Sequence, residues 1–292
     1  MNEASRWRST LAQQIAPHYH ANPKVRAVAL AGSVALGYAD RSSDIDLSVF
    51  WAEPPTGKER RDIIKRAGKG GRSRFPFHGN AGGWSEEFEV GGVAIDVRHM
   101  TVEATERILA DVLERADPSL AKQQHLAMLL SALPPLSGSS VLIQWQQQAL
   151  VNPHELGVAM VRTHLNFPPR WEQERLAERN EWLLLYDSLC LVEQHILLVL
   201  LGLNRLYYPG FRRVDWLMEQ IPIAPLRLVS RFKQAFDIVS IDARASVYQL
   251  HDLVEETFRL VEMHLREVDT TQARARFAEP RQIWEQAPYG LV

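Results

Sequence analysis

The first hundred residues are divided into short apolar or alternating runs separated by polar and glycine-rich segments. These runs predict four β-strands, at 25–31, 44–51, 84–90 and 91–100. Helical spacing predicts a helix over 3–20 and another over 57–67. Residues 68–83 are rich in glycine and arginine and predict a loop. The first third of the chain is therefore expected to be a small sheet with flanking helices.

From Thr101 onward the hydrophobic spacing becomes helical almost throughout. It predicts a series of helices, near 102–115, 119–131, 139–150, 153–165, 171–203 (with a break allowed), 215–220, 224–239 and 243–267. The tail from about 269 is polar and is expected to be loosely attached. This change of period predicts an α+β chain with two domains, 1–103 and 104–292, of which the second is all helical.

Composition narrows the class of protein. A chain of 292 residues with 46% hydrophobic residues is typical of a globular protein. The formal net charge of −2 gives no support for nucleic-acid binding. Cys190 is the only cysteine, so no internal disulfide can form, and a reducing compartment is expected. The N-terminus lacks the apolar core of a signal peptide, and together these features predict a cytoplasmic protein.

The most apolar stretch, 182–203, raises the question of a membrane span. It contains several polar residues, Asp187, Glu193, Gln194 and His195. Ionisable residues are costly inside a bilayer, so we expect a core helix and no membrane association.

Two aspartates stand out on the second predicted strand. Because strand residues alternate in direction, Asp44 and Asp46 share one face, and Ile45 and Leu47 share the other. Carboxylates held close together repel each other unless a positive charge lies between them. A hard divalent cation, Mg²⁺ or Mn²⁺, prefers such oxygen ligands.

The string Gly-Ser-x-x-x-Gly-x-x-x-x-x-Ser-Asp-Ile-Asp-Leu, from Gly32 to Leu47, resembles the signature of the DNA polymerase β-like nucleotidyltransferase superfamily. The resemblance implies a small mixed-sheet nucleotidyltransferase domain with a third carboxylate on a later strand. Asp96, at the centre of the fourth predicted strand, fits that position. An aspartate within a buried strand is costly unless it is paired or bound to a metal.

This resemblance also implies an activity, the transfer of a nucleoside monophosphate from an NTP to a hydroxyl group with release of pyrophosphate. Asp44 and Asp46 would hold a metal ion that bridges the triphosphate, and Asp96 would join them at a second metal. A short helix from Gly32 and Ser33 would hold phosphate oxygens, since free N–H groups at a helix N-terminus favour anions. Ser43 belongs to the same nucleotide-binding motif. The expected cofactor is Mg²⁺ or Mn²⁺, and the expected NTP is ATP.

The helical half carries a second resemblance. Residues 201–213 resemble the Leu-Asn-x-x-Tyr-x-Pro-x-x-Lys stretch of helical domains in bacterial small-substrate nucleotidyltransferases, with arginine in place of the lysine. It implies four further nucleotide-binding residues, Arg205, Tyr208, Arg212 and Arg213. In some antibiotic-modifying relatives a glutamate of this domain acts as general base, and Glu193 is the candidate here. Glu193 as a helix-packing or salt-bridge residue, and Asp96 as the base, stay open as alternatives.

The acceptor is expected to be a small polyhydroxy molecule, because the helical half is large enough to form a pocket and the chain is nearly neutral. Aminoglycoside and lincosamide nucleotidyltransferases share this organisation, although no residue identifies the acceptor. Two alternatives stay open: nucleotidylation of a protein side chain, and a non-catalytic antitoxin-like regulatory protein of the same fold. A tRNA-tailing enzyme is disfavoured, since such enzymes need a broad basic surface.

Overall fold

In a computed structural model, the described residues form one mixed five-stranded sheet. The strands are β1 (Val25–Ala31), β2 (Ile45–Trp51), β3 (Lys69–His78), β4 (Gly83–Val90) and β5 (Val93–Thr101). Their order across the sheet is β1-β2-β5-β4-β3, in which only β2 and β5 run parallel among these neighbours. The α+β class and the mixed sheet predicted from the sequence are confirmed.

The structure describes residues 1–78, 82–131, 136–212, 214–219, 221–237 and 242–281, without the side chains of 71–78 and 139. The chain divides into two compact units, Met1–Pro153 and His154–Val292. Besides the sheet, the first unit contains α1 (Glu3–His20), α2 (Gly32–Ala35), α3 (Gly57–Ala67), α4 (Val102–Leu113), α5 (Leu120–Ser131) and α6 (Ser139–Ala149).

The core face of the sheet is formed by the apolar half of the strand alternation. Leu30, Leu47 and Val97 lie side by side on β1, β2 and β5, each with 1% exposure or less. Ile15 of α1 and Ile63 of α3 belong to the same buried cluster. Burying one such side chain stabilises a fold by about 1.5–3 kcal/mol, so this face anchors β2 and β5 firmly.

The prediction of a loop at 68–83 is wrong for residues 69–78, which form β3. Residues 69–78 pair antiparallel with β4, with three irregularities in the register. Glycine and proline in this segment weaken its strand signal, and the pairing partner β4 supplies the hydrogen bonds that local sequence does not predict.

The boundary between the compact units lies beyond the predicted domain boundary at 103/104. Helices α4, α5 and α6 belong to the first unit. Val28 of β1 pairs with Ser137, which precedes α6, and Phe50 of β2 packs edge-on against Trp145 of α6 at 5.1 Å between ring centroids. A change of periodicity marks the end of the sheet, but these helices pack back onto it.

In the second unit, every described element of regular secondary structure is a helix. Its helices are α7 (His154–His164), α8 (Arg170–Glu178), α9 (Trp182–Leu203), α10 (Val214–Glu219), α11 (Leu228–Ala235), α12 (Ala243–His264) and α13 (Thr271–Phe277). The predicted helix 171–203 is interrupted near Asn180, whose φ of +54° lies in the left-handed region. The predicted helix 224–239 is shorter, and its last two residues lie outside the described residues.

The prediction of a loosely attached tail is wrong for α13. Phe277 is completely buried, with ring centroids 6.2 Å from Phe167 and 6.1 Å from Phe258. Residues 282–292 lie outside the described part of the chain. Phe277, together with ion pairs from Arg274 to Glu255 and Glu262, attaches this helix to its unit.

Helix α9 is long and apolar enough, with a mean hydropathy of 1.7, to meet the criteria for a membrane span. The window is 44% buried, and its C-terminal residues from Ile196 onward are largely covered by the unit. Since the core helix of a water-soluble protein meets the same criteria, one such helix is weak evidence for a membrane. The cytoplasmic location stays a prediction.

Candidate metal and nucleotide site

Three aspartates meet at the start of β2 and at the neighbouring, central part of β5. Asp46 and Asp96 are direct partners across the two parallel strands, and Asp44 immediately precedes β2. One carboxylate oxygen of each lies within 4.8 Å of the others. Asp44 is exposed, whereas Asp46 and Asp96 are half-buried. The local cause is the alternation predicted from the sequence, since the neighbouring Ile45 and Ile95 are fully buried on the opposite face.

These oxygens fit a hard divalent cation. Three carboxylates at this separation repel one another in the ionised state, and a cation that accepts one oxygen from each removes that cost. Mg²⁺ and Mn²⁺ are bound by carboxylate oxygens in this way, with remaining positions filled by water or substrate phosphate. The predicted metal ligands Asp44, Asp46 and Asp96 are thus brought together by the fold.

The backbone after β1 approaches the same carboxylates closely. A methyl group added at Gly32 would lie 1.8 Å from Asp46 Oδ2, and the φ of Gly32 is +64°. Both facts restrict this position to glycine. Ser33 follows at the start of the four-residue α2 and is half-buried, with no hydrogen bond from its hydroxyl to any described residue. Gly32 and Ser33 therefore lie beside the carboxylates, as the motif predicts.

Ser43 has a role within the turn that precedes Asp44. Its hydroxyl donates to Asp40 Oδ1 at 3.1 Å and accepts from the Asp40 N–H at 2.9 Å. Its carbonyl accepts from Arg8 Nε at 2.9 Å, which ties the turn to α1. Ser43 positions Asp44 in this structure, and nucleotide binding by Ser43 stays a prediction.

Helices α5 and α6 cover the other end of this sheet face, which we call the site face. Ser48, two residues beyond Asp46, donates to Met128 Sδ at 3.4 Å. Phe50 packs against His125 and against Trp145. The covered end is apolar and buried, so the polar groups of the site face are concentrated near the start of β2 and β5.

Two charged residues of the site face were missed from the sequence. Glu87 of β4 is the direct partner of Asp96, and Arg98 follows Asp96 by two residues on β5. The signal was available for Arg98, because the alternation that places Asp96 on the site face also places Arg98 there. Glu87 required knowledge of the β4–β5 register.

Glu193 lies on α9 in the second unit. Its Oε1 is buried without a hydrogen-bond partner, and burial raises the pKa of its carboxyl to about 8. It forms no ion pair with a described residue, so the salt-bridge alternative finds no support there. A carboxyl that titrates near neutral pH suits a general base, but its catalytic role stays a prediction.

The four residues predicted to bind nucleotide follow α9. Arg205 and Arg212 are exposed, and Arg205 adopts a φ of +53°. Tyr208 is half-buried and packs edge-on against Phe211 at 5.1 Å between ring centroids. Arg213 lies outside the described residues. Their contact with a nucleotide stays a prediction.

Comparisons with known proteins add little to this geometry. No protein-family model and no curated protein matches the sequence. Among solved structures, the chain is similar to a nucleotidyltransferase-like protein from Exiguobacterium sibiricum, with a TM-score of 0.40 and 12% identity, over 89% of this chain and 80% of that chain. At this TM-score we draw neither fold nor activity from the likeness.

Proposed function

We propose that the protein is a metal-dependent nucleotidyltransferase that acts on a hydroxyl group of a small molecule. The observation that carries this proposal is the cluster of Asp44, Asp46 and Asp96, with ligand oxygens within 4.8 Å, directly beside Gly32. A general acidic patch would not require a glycine in close contact with one of its carboxylates. The combination supports a site that holds a cation and a phosphate together.

In the proposed reaction an acceptor oxygen attacks the α-phosphorus of an NTP. The new oxygen–phosphorus bond joins acceptor and nucleoside monophosphate, the α–β phosphoanhydride bond breaks, pyrophosphate leaves, and the hydroxyl proton passes to a base. Mg²⁺ or Mn²⁺ would neutralise phosphate charge and lower the pKa of the attacking hydroxyl. Asp44, Asp46 and Asp96 would orient these groups, and Gly32 and Ser33 would bind the outer phosphates through N–H and hydroxyl donors.

The base is assigned to one of two carboxyls. Asp96 lies at the site itself, on the strand next to Asp46. Glu193, whose pKa is raised to about 8 by burial, belongs to the helical unit, which would bind the acceptor. We assign ATP as the donor and a polyhydroxy compound of the aminoglycoside or lincosamide kind as the acceptor, as the sequence resemblance implies.

The test is a calorimetric titration with ATP, GTP, CTP and UTP in the presence of Mg²⁺, followed by a screen of polyhydroxy acceptors for pyrophosphate release. Asp44→Asn/Asp46→Asn removes two ligands, and Asp62→Asn, an exposed aspartate on α3, is the matched control. We expect wild type and the control to bind an NTP and the double variant to lose binding. Equal behaviour of all three proteins would refute the catalytic proposal and favour the regulatory alternative.

A further inference from the structure

Arg98 extends the carboxylate site along β5. It is paired with Ser48 on β2 and with Ser85 on β4, on the same sheet face as Asp96. At a rise of about 3.3 Å per residue, the Cα atoms of Asp96 and Arg98 are about 7 Å apart. An arginine side chain spans a similar length, so its guanidinium can reach a group bound at the carboxylates.

The surroundings of Arg98 leave its donors available. The side chain is exposed and makes no hydrogen bond or ion pair with any described residue. Some other cations of the first unit are paired with acids, for example Arg60 with Glu86 at 3.1 Å and Lys122 with Asp117 at 2.6 Å. Arg98 is thus a cation near the carboxylate cluster whose five N–H donors are not used by any described residue.

His125 of α5 forms the other side of this environment. It is 3% exposed, and neither ring nitrogen has a hydrogen-bond partner. Burial, together with the positive charge of Arg98, lowers the pKa of His125 to about 3, so the ring is neutral at physiological pH. The charged groups that face Arg98 from its own and the adjacent strand are the carboxyls of Asp96 and Glu87. A neutral imidazole adds no second positive charge beside Arg98.

We propose that Arg98 binds a phosphate oxygen of a substrate held at the Asp44–Asp46–Asp96 site, an inference that rests on the proposed function. A guanidinium forms two parallel, charge-assisted hydrogen bonds to a phosphate. In the sheet order β1-β2-β5, Arg98 lies on the opposite side of β2 from Gly32. The phosphate therefore belongs either to the NTP or to an acceptor that is itself phosphorylated.

The experiment compares wild type with Arg98→Gln, Arg98→Lys and Arg26→Gln. Arg26 is the matched control, since it is also an exposed strand arginine of the first unit without an ion pair to a described residue. Calorimetry measures the binding of Mg-ATP, Mg-GTP, Mg-CTP and Mg-UTP, and then the binding of inorganic phosphate to protein saturated with a non-hydrolysable analogue of the NTP that binds. Thermal unfolding verifies that each variant is folded.

If the NTP supplies the phosphate, Arg98→Gln weakens NTP binding by about tenfold or more, Arg98→Lys weakens it less, and Arg26→Gln leaves it unchanged. If the acceptor supplies it, NTP binding is unchanged in all variants, and Arg98→Gln loses the binding of inorganic phosphate that wild type shows. Retention of both affinities by Arg98→Gln overturns the inference and leaves the proposed function intact. Absence of NTP binding in wild type refutes the proposed function, and the inference with it.

Discussion

Both faces of the sheet carry acidic side chains, but the carboxylates on the two faces have different neighbours. On the core face, Glu86 of β4 is 4% exposed. Its Oε1 accepts from Arg60 Nη1 and from Trp84 Nε1, each at 3.1 Å, and lies 3.4 Å from His99 Nε2. On the site face, Asp44, Asp46 and Asp96 each place a carboxylate oxygen within 4.8 Å of the other two.

Glu86 has the surroundings of a structural carboxylate, whereas the three aspartates are arranged as ligands for a cation. Glu86 is neutralised by a cation of the protein, and His99 next to it is kept neutral, since burial and the charge of Arg60 lower its pKa to about 3. Trp51 Nε1 donates to His99 Nδ1 at 3.0 Å and completes this network. Asp44, Asp46 and Asp96 bring three like charges within 4.8 Å of one another, and a divalent cation bound by all three would lower that repulsion.

The largest effect is expected from Asp44→Asn/Asp46→Asn. Loss of two metal ligands should lower the rate of pyrophosphate release by at least about 10³-fold, because the charge on the phosphates is no longer neutralised. The melting temperature without metal shows whether the double variant is folded. Kinetic assays and thermal unfolding, with Asp62→Asn as the control, measure both quantities. A double variant with wild-type turnover would contradict the assignment of the site face.

Glu86→Ala tests the core face. It leaves the Arg60 guanidinium and the Trp84 N–H without their acceptor, and breaking a buried charged pair costs about 3 kcal/mol. Chemical denaturation should therefore show a large loss in the free energy of unfolding. Glu89→Ala, an exposed glutamate of the same strand, should change it by less than about 0.5 kcal/mol. Equal losses in the two variants would remove the distinction between structural and surface carboxylates.

Gly32→Ala tests whether the close contact between Gly32 and Asp46 matters for the site. The methyl group would collide with the Asp46 carboxylate, and Gly70→Ala is its control because Gly70 also has a positive φ, of +81°, but nothing within 4 Å. Gly70→Ala should lose about 1 kcal/mol of stability from backbone strain, and Gly32→Ala should lose more because of the added collision. Only Gly32→Ala should also weaken Mg-ATP binding, by about tenfold. Equal Mg-ATP affinity in the two variants would show that the close contact has no role in the site.

Glu193 provides a third kind of carboxyl, buried without a partner. Its pKa is raised from 4.5 to about 8 by burial, so between these values the folded protein retains a proton that the unfolded chain has released. The free energy of unfolding should therefore fall as pH rises through this window. Glu193→Gln should remove that part of the slope in a series of denaturation curves. Glu155→Gln, at an exposed position of α7, should leave the slope unchanged, and an unchanged slope in Glu193→Gln would disprove the raised pKa.

The strands that build the site were predictable because their signal is local. A short apolar run predicted β1 and alternation predicted β2, each within one residue, and the alternation placed Asp44 and Asp46 on one face. β3 was missed because its pairing with β4 is a tertiary effect. Glu87 was missed because its neighbour Asp96 is on another strand, and no local pattern reveals a register between strands.

In the helical half, spacing predicts that helices exist but not where they pack. The break near Asn180 depends on one residue with positive φ, and the attachment of α13 depends on the burial of Phe277. Arg205, Tyr208 and Arg212 were predicted from a motif, and a motif does not determine the orientation of side chains that follow a helix.

The central claim is that Asp44, Asp46 and Asp96 together bind a divalent cation. Titration of the protein with Mn²⁺, monitored by the loss of the free-ion electron paramagnetic resonance signal, tests it without requiring the acceptor or the NTP. The account predicts that wild type and Asp62→Asn bind Mn²⁺ with the same affinity and that Asp44→Asn/Asp46→Asn binds it at least about tenfold more weakly. Equal affinity in all three proteins would contradict the claim.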